Sequence, residues 1–121
     1  KNVSQKGIRA IAAECLDLVH RAKEGTLTSQ DIKGATFTIS NLGPYGVEQF
    51  NAIINPPEVA VLAFGAILPT AAPIQGDDIA VRPIMRFTLS ADHRVVDGAV
   101  AARFNGKDAH GCQAGWPLSL V

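Results

Sequence analysis

The first part of the chain repeats apolar residues at three- and four-residue spacing. The repeat covers residues 3–23, and its apolar members are Ile8, Ile11, Ala12, Cys15, Leu18, Val19 and Ala22. This spacing predicts an amphipathic helix, which Gly25 is expected to end. Cys15 falls on the apolar face and is predicted to be a buried free thiol, whereas His20 falls on the polar stripe and is predicted to be solvated. A capped turn or very short helix is expected over 28–31.

Beyond this helix the apolar residues change to patterns that are typical of strands. Alternating apolar and polar residues predict a half-buried strand over 35–40, and a nearly continuous apolar run predicts a buried strand over 59–68. A third strand is expected over 79–90, where Pro83 indicates an edge position or a break. Loops are predicted over 41–46 and 69–78. The segment 47–54 is predicted to be either irregular or a short strand.

The end of the chain loses its periodic pattern. A helix is predicted over 99–104, but the following residues contain several glycines and no helical stripe. We therefore expect a folded domain over 1–104 and a divergent tail over 105–121. Because the chain begins with Lys1 rather than Met, and does so at the edge of a helical pattern, we expect it to be a piece of a longer protein.

The composition narrows the classes of function. The 121 residues include 11 basic and 11 acidic side chains, so the formal net charge is zero. Such a balance leaves no electrostatic footprint for nucleic acid or an anionic membrane surface, and no apolar run is long enough to span a bilayer. Two cysteines, Cys15 and Cys112, do not make a disulfide framework and fit a reducing compartment.

The most informative local feature is the run SADHRVVDG at 90–98. It places His93 between two carboxylates, Asp92 and Asp97, after a predicted strand and before a predicted helix. A histidine ionises near neutral pH, and beside a carboxylate it is suited to act as a general base. The alternative is a strand-to-helix turn whose histidine is only structural, which is the commoner case for a single histidine near one aspartate.

Longer strings around this run carry a family resemblance. The motif HRVVDG, which begins at His93, resembles the active-site signature of the acyltransferase core of 2-oxo acid dehydrogenase complexes. Two upstream strings occur in the order that the family shows, TFTISNLG at 36–43 and IINPPE at 53–58. The resemblance covers about residues 1–104 and implies the C-terminal half of the catalytic domain. The implied fold is α/β, a chloramphenicol acetyltransferase-like two-layer sandwich with a mixed sheet, present here as a partial domain.

The resemblance implies transfer of an acyl group, most closely acetyl, between the thiols of dihydrolipoamide and coenzyme A. His93 would be the general base on the thiol, and Ser40 the hydroxyl donor that stabilises the oxyanion. Asp97 occupies a position that the family counts with its active site, and we expect it to hold the loop and the histidine ring. No metal is implied. The implied coenzyme A contacts are Ser40, Asn41, Gly65 and Ile67, of which Gly65 interrupts a strand and fits a close backbone approach.

The family resemblance also implies an assembly. Its members form homotrimers within larger cubic or dodecahedral cores, with the histidine of an active site from one subunit and the serine from its neighbour. The implied partners are the decarboxylase and dihydrolipoamide dehydrogenase components, together with a lipoyl domain that carries the lipoyl group and is absent from this chain. No nucleic acid or membrane partner is expected, and the implied location is the bacterial cytoplasm or the mitochondrial matrix.

Two other functions stay open at this point. In one, the chain is a truncated, catalytically silent fragment or a structural core component, because half of a sheet leaves edge strands and apolar surface exposed. In the other, it is a chloramphenicol-type acetyltransferase for a hydroxylated small molecule, against which the DHR and NPP strings count. A zinc site at His93, His110 and Cys112 is disfavoured, because these residues lack compact ligand spacing. A serine hydrolase is not indicated either, because the sequence contains no Gly-x-Ser-x-Gly motif.

Overall fold

The computed structural model describes residues 1–74 and 78–111 of the chain. They fall into two compact units, of which the first covers 1–35. The second unit contains the sheet and the candidate chemistry. Residues 75–77, within the loop expected over 69–78, and the chain after residue 111 lie outside the described residues.

Helix α1 (Ile8–Lys23) confirms the predicted amphipathic helix in the first unit except at its start, because Val3–Gln5 form a separate 3-10 turn. It ends before Gly25, whose φ of +68° suits a residue without a Cβ. A second helix, α2 (Ser29–Ile32), confirms the short element that the sequence predicts. The start of α2 is closed by Asp31, whose Oδ2 accepts hydrogen bonds from the N–H and the hydroxyl of Thr28.

The apolar face of α1 is exposed. No residue of this helix is buried, with Ile8 85% and Val19 52% exposed, and Cys15 is an exposed free thiol. The prediction of a buried Cys15 is therefore wrong, because an apolar stripe is buried only where another layer of chain packs on it. His20 is exposed as predicted, and its Nδ1 lies 3.4 Å from a carboxylate oxygen of Glu24.

The described part of the second unit is built on a mixed sheet. Its strands, in spatial order, are β1 (Thr38–Asn41), β2 (Ala60–Pro73) and β3 (Ile79–Ala91). Strand β1 runs parallel to β2, and β3 runs antiparallel to β2. Helix α3 (Gly98–Gly111) follows β3, and a 3-10 turn (Gly43–Tyr45) follows β1. The α/β class with a mixed sheet, expected from the sequence, is confirmed.

The hairpin of β2 and β3 extends further than the apolar pattern predicts. Strand β2 continues through Pro69 to Pro73, so the first part of the predicted loop over 69–78 is wrong. Pro69 pairs directly with Pro83, and the pairing continues to the start of β3. The ladder between two extended strands thus carries β2 past the end of its apolar run. Pro83 lies within an unbroken β3, whose only neighbour in the described sheet is β2, so the predicted edge position is confirmed.

Helix α3 also continues beyond the point where the apolar pattern stops. It runs to Gly111, whereas the sequence predicts a helix that ends at Phe104. On the inward face of this helix, Ala101 and Asn105 are one turn apart and only 1% and 4% exposed. Because asparagine is polar, a search for helices by the spacing of apolar residues does not count it as an inward-facing position.

The two faces of the sheet differ in chemistry. Directly paired residues lie on the same side of a sheet. One side is apolar, packs with Ala101 of α3, and consists of Ala60, Leu62, Phe64, Phe87, Leu89 and Ala91. The register assigns to the other side Thr38, Ser40, Val61, Ala63, Thr88 and Ser90. We call this second side the hydroxyl face, since most of its members carry a side-chain hydroxyl.

The hydroxyl face is covered by residues 47–58, which we call the cover segment. This segment has no regular secondary structure. For residues 47–54 the sequence predicted either an irregular segment or a short strand, and the irregular form is the one observed. Hydrogen bonds fix it to the sheet: the Val47 carbonyl accepts from Ala66 N–H at 2.8 Å, and Gln49 Nε2 donates to Thr88 Oγ1 at 3.3 Å. An irregular segment is thereby held in one place across the sheet.

The cover segment explains why position 65 is a glycine. A Cβ at Gly65 would overlap the carbonyl group of Glu48 and lie 3.2 Å from the carbonyl oxygen of Arg86. The pairing of β2 with β3 is irregular at the same place, between Phe64 and Ile67. A close backbone approach does occur at Gly65, and the chain's own backbone makes it.

We expect Gly65→Ala to lower the free energy of unfolding by about 2–3 kcal/mol, because backbone atoms on both sides must shift to admit a methyl group. Denaturant unfolding of the full-length protein measures the change. Gly106→Ala is the matched control, since a Cβ at Gly106 meets nothing within 4 Å and alanine favours a helix. Equal stability of the Gly65→Ala variant and the wild type would contradict the packing described for this position.

Candidate active site

His93 lies in the loop that joins β3 to α3, and backbone hydrogen bonds hold this loop. The N–H of Asp92 donates to the carbonyl of Val59 at 2.9 Å, directly before β2 begins. The carbonyl of Asp92 accepts from the N–H groups of Val95 and Val96, each at 2.9 Å. Asp92 is therefore the backbone anchor of a tight turn that leaves His93 exposed.

The side chain of Asp92 adds a charged anchor to residues 92–97, which we call the His93 loop. Arg94 Nε donates to Oδ1 of Asp92 at 2.9 Å, and Arg94 Nη2 donates to Oδ2 at 2.7 Å. The backbone N–H of Arg94 donates to Oδ1 at 3.0 Å. These charge-assisted hydrogen bonds join two residues that are only two positions apart. The Arg94 side chain, and after it the Arg94 N–H, lower the pKa of Asp92 to about 2.

The ionisation of Asp92 sets the acid limit of this anchor. Because the folded-state pKa is about 2 and the ordinary value is 3.8, the contribution of the carboxylate to folding is present above the ordinary value and is lost as the pH falls through about 2. At pH 3 we expect about 10% of Asp92 to be protonated, against roughly 85% for an unperturbed group. Carbon-13 NMR of the Asp92 carboxyl group measures this fraction. Arg94→Ala should return the midpoint towards the ordinary value, and a wild-type midpoint already there would contradict the described pairing.

Asp97 holds the other end of the His93 loop by capping α3. Its Oδ1 accepts from the N–H of Val100 at 2.8 Å, which is an N-cap hydrogen bond. Its backbone carbonyl accepts from the N–H of Ala101 at 3.1 Å. These bonds fix the loop through the start of the helix, whereas a contact between Asp97 and the His93 ring stays a prediction.

His93 lines a cavity of about 510 Å³. One wall is the first half of the His93 loop, and the other is a turn at 55–58, closed by a hydrogen bond from the Glu58 N–H to the Asn55 carbonyl at 3.0 Å. The volume lies within the range of small-molecule sites, so a ligand in this cavity would have an imidazole at its wall.

Ser40 does not lie beside His93 within one chain. Ser40 is half-buried on the hydroxyl face, where it pairs with Ala63, and Ala63 pairs with Thr88 on β3. Two strand spacings separate β1 from β3, or about 10 Å, and three residues along β3 separate Thr88 from Ala91, or about 10 Å more. Ser40 is also not among the residues that line the cavity beside His93. The structure therefore keeps the two predicted catalytic side chains of one chain apart.

The predicted coenzyme A contacts are neighbours in the fold. Ser40 and Asn41 end β1, and Gly65 and Ile67 follow the β2 residues that pair with them. Asn41 is exposed with its Oδ1 accepting from a backbone N–H at 2.9 Å, and Ile67 is 66% exposed. Gly65 is buried under the carbonyl of Glu48. This contact explains why position 65 is a glycine, and no ligand is needed for the explanation. Contact with coenzyme A at these four residues stays a prediction.

Sequence reasoning did not single out Thr38 and Glu58. Glu58 is only 8% exposed, and its Oε2 accepts from Thr38 Oγ1 at 2.5 Å. Glutamates are rarely buried without a partner, and this partner is separated from Glu58 by a loop and part of a strand. The one available signal was the position of Glu58 directly before a strongly apolar strand.

The described part of the chain contains neither a metal-binding cluster nor a membrane-spanning helix. Within residues 1–74 and 78–111, no group of three or more His, Cys, Asp or Glu side chains is placed to hold a metal ion. The zinc alternative involved Cys112, which lies outside these residues. The helices in the same ranges are too short or too polar to cross a membrane.

Comparison with known proteins identifies the class as an acyltransferase catalytic domain, because residues 1–110 match the family model of the 2-oxoacid dehydrogenases acyltransferase (catalytic domain). This chain belongs to that family. The dihydrolipoamide acetyltransferase of Azotobacter vinelandii is similar in structure, with a TM-score of 0.84 and 38% identity over 91% of this chain. The cubic core of a pyruvate dehydrogenase multienzyme complex is similar with a TM-score of 0.82 and 38% identity over 89% of this chain. The chain covers 45% of each solved chain, which confirms the expected partial domain.

Curated relatives agree with this assignment. The acetyltransferase component of the pyruvate dehydrogenase complex of Rickettsia felis is 48% identical over 104 residues, which cover 86% of this chain and 25% of the relative. The mitochondrial counterpart of Schizosaccharomyces pombe is 46% identical over 106 residues, covering 86% of this chain and 22% of the relative. The chain thus spans about a quarter of the length of the curated relatives that it matches.

Proposed function

We propose that this chain supplies catalytic residues of an acyltransferase that moves an acetyl group between dihydrolipoamide and coenzyme A. The observation that carries the proposal is the exposed His93, on a loop anchored at both ends, beside a cavity of about 510 Å³. The matched relatives are named acetyltransferases, which supports acetyl as the acyl group. Coenzyme A and the lipoyl group are substrates here, and the lipoyl group is carried on a separate domain.

His93 is the general base in this proposal. A thiol has an ordinary pKa of about 8.5, so the thiolate, which is the nucleophile, is a minority species at neutral pH. The neutral imidazole takes the proton from the thiol of coenzyme A as the sulfur attacks the carbonyl carbon of acetyl-dihydrolipoamide and forms a carbon–sulfur bond. The bond to the dihydrolipoyl sulfur then breaks, and that sulfur receives the proton from the imidazolium. In the opposite direction the two thiols exchange roles.

Ser40 is the proposed donor to the oxygen on which negative charge develops. One hydroxyl aimed at that oxygen contributes roughly 3–4 kcal/mol to stabilisation of the transition state. Since Ser40 and His93 of one chain lie apart, we propose that they meet across an interface between two copies in a homotrimer. Each active site then takes its serine from one subunit and its histidine from the next.

Asp97 has a positioning role in the proposal. The solved Azotobacter vinelandii protein was investigated for the roles of a serine, a histidine and an asparagine in its catalytic mechanism, with the asparagine four positions after the histidine. Asp97 follows His93 at the same interval. Aspartate and asparagine are both good acceptors at a helix N-cap, so either residue can hold the start of α3 and with it the His93 loop.

The proposal extends to the assembly and to the substrate contacts. The relatives are components of pyruvate dehydrogenase complexes, and one solved relative is a cubic core. We place this chain in trimers of such a core, with a lipoyl domain, a decarboxylase and a dihydrolipoamide dehydrogenase as partners, in the bacterial cytoplasm or the mitochondrial matrix. Coenzyme A would contact Ser40, Asn41 and Ile67 and the backbone around Gly65.

Acetyl transfer by the full-length protein that contains this chain tests the proposal. With free dihydrolipoamide as acceptor, we expect transfer from acetyl-CoA at a higher kcat/KM than from succinyl-CoA or isobutyryl-CoA. No transfer from any donor would contradict the proposal and favour a catalytically silent core component. Acetylation of chloramphenicol in place of dihydrolipoamide would favour the third class of function.

A further inference from the structure

We infer that Glu58 is a positioning residue, which aligns the strand that carries Ser40 with the His93 loop of the same chain. The inference rests on the proposed acetyl transfer, because it assigns Glu58 a part in that reaction. It depends on three contacts, one made by the Glu58 side chain, one by its backbone N–H and one by the carbonyl of the next residue.

The side-chain contact fixes β1. Glu58 is only 8% exposed, and its Oε2 accepts from Thr38 Oγ1 at 2.5 Å. A hydroxyl that donates to a carboxylate oxygen makes one of the stronger hydrogen bonds in proteins. A buried carboxylate without such a partner is strongly unfavourable, because it loses its hydration and gains no hydrogen bond in return. Thr38 is therefore held firmly at this position.

Thr38 transmits this constraint to Ser40. Both residues lie on the hydroxyl face of β1, two positions apart in a strand of four residues. In the described residues β1 has β2 as its only strand neighbour. The hydrogen bond from Thr38 to Glu58 therefore attaches β1 to the cover segment as well. A displacement of β1 by about 1 Å would move the Ser40 hydroxyl by the same amount, which is enough to cost roughly 10²-fold in rate.

The backbone contacts connect the same residue to His93. The Glu58 N–H donates to the Asn55 carbonyl at 3.0 Å and closes the turn that forms a wall of the cavity beside His93. The carbonyl of the next residue, Val59, accepts from the N–H of Asp92 at 2.9 Å and so holds the start of the His93 loop. One short stretch of chain therefore sets the position of both predicted catalytic residues.

Four single variants and one double variant of the full-length protein test the inference by kinetics. We expect Glu58→Ala and Thr38→Val each to lower kcat for acetyl transfer by about 10- to 100-fold, with KM changed by less than about threefold. Glu58→Gln and Thr38→Ser should retain kcat within about fivefold, because the amide oxygen and the serine hydroxyl can restore the bond. The double variant of Glu58→Ala and Thr38→Val should be no slower than the slower single variant, since both remove one interaction.

Gln49→Ala is the matched control for the cover segment. It removes a hydrogen bond from the same segment to Thr88 on β3 and leaves β1 untouched, so kcat should stay within about twofold of wild type. An equal loss of kcat in Gln49→Ala and Glu58→Ala would overturn the inference, as would an unchanged kcat in Thr38→Val. If Glu58→Ala fails to fold, the pair Thr38→Val and Thr38→Ser carries the same test.

Hydrogen–deuterium exchange separates this inference from the proposed function. The amides of β1 should exchange faster in Glu58→Ala and Thr38→Val than in wild type or Gln49→Ala, whether or not the protein transfers acetyl groups. Unchanged exchange in both variants would overturn the inference even if kcat falls. A wild-type protein without transferase activity would overturn the proposed function, and the exchange data would then stand as a separate result.

Discussion

Replacing His93 with alanine is expected to lower kcat for acetyl transfer by about 10²- to 10⁴-fold, the range that removal of a general base produces. Alanine removes the imidazole but leaves the anchors of the loop, which are made by Asp92 and Asp97. The cavity beside the loop therefore keeps its walls, and we expect a small change of KM. Steady-state kinetics of the full-length protein with acetyl-CoA and dihydrolipoamide measure both constants.

The pH dependence of the His93→Ala variant distinguishes loss of a base from loss of structure. Without the imidazole, reaction depends on thiolate that forms spontaneously, so kcat of the variant should rise about tenfold per pH unit below the thiol pKa of about 8.5. His20→Ala is the matched control, because His20 is an exposed histidine on α1, and its kcat should equal that of wild type. A His93→Ala variant with undiminished kcat at neutral pH would contradict the role of His93.

Replacing Ser40 with alanine is expected to lower kcat by about 10²- to 10³-fold, as removal of one oxyanion donor does. The more decisive result comes from mixing Ser40→Ala chains with His93→Ala chains in one assembly. Where a site takes its serine from a His93→Ala chain and its histidine from a Ser40→Ala chain, both groups are present again. Random mixing in equal amounts should restore about one quarter of the wild-type activity.

The mixing experiment has a clear contrary outcome. If Ser40 and His93 of the same chain formed the site, every mixed assembly would lack one group at each site, and activity would stay at the level of the separate variants. The separation of the two residues in the described sheet, by two strand spacings and by three residues along β3, favours the restored activity. Each variant alone, assembled in the same way, supplies the background.

Much of the local structure follows from the sequence. Helix α1, the capped helix α2 and the buried portions of the strands lie where the residue periodicities place them. The pairing of Asp92 with Arg94 was also predictable, because the two residues are two positions apart in a turn. Interactions over so few residues depend on the local sequence alone, so one sequence is enough to predict them.

The ends of the elements were less predictable. Strand β2 continues to Pro73 because β3 pairs with it, and α3 continues past Phe104 with the polar Asn105 on its inward face. Neither the pairing partner nor the buried polar residue is visible in a pattern of apolar residues. Gly65 shows the same limit, since the need for a glycine was predicted but its cause, the carbonyl of Glu48, comes from another segment.

By itself, the sequence determined the helix and strand periodicities, the tight turn around His93 and the motif that places the chain among the 2-oxoacid dehydrogenase acyltransferases. Only the tertiary structure decided that Cys15 is exposed and that Glu58 is buried against Thr38. The physical reason is range: turns, caps and periodic faces arise between residues a few positions apart. Burial and the distance between strands depend on which distant segments pack together.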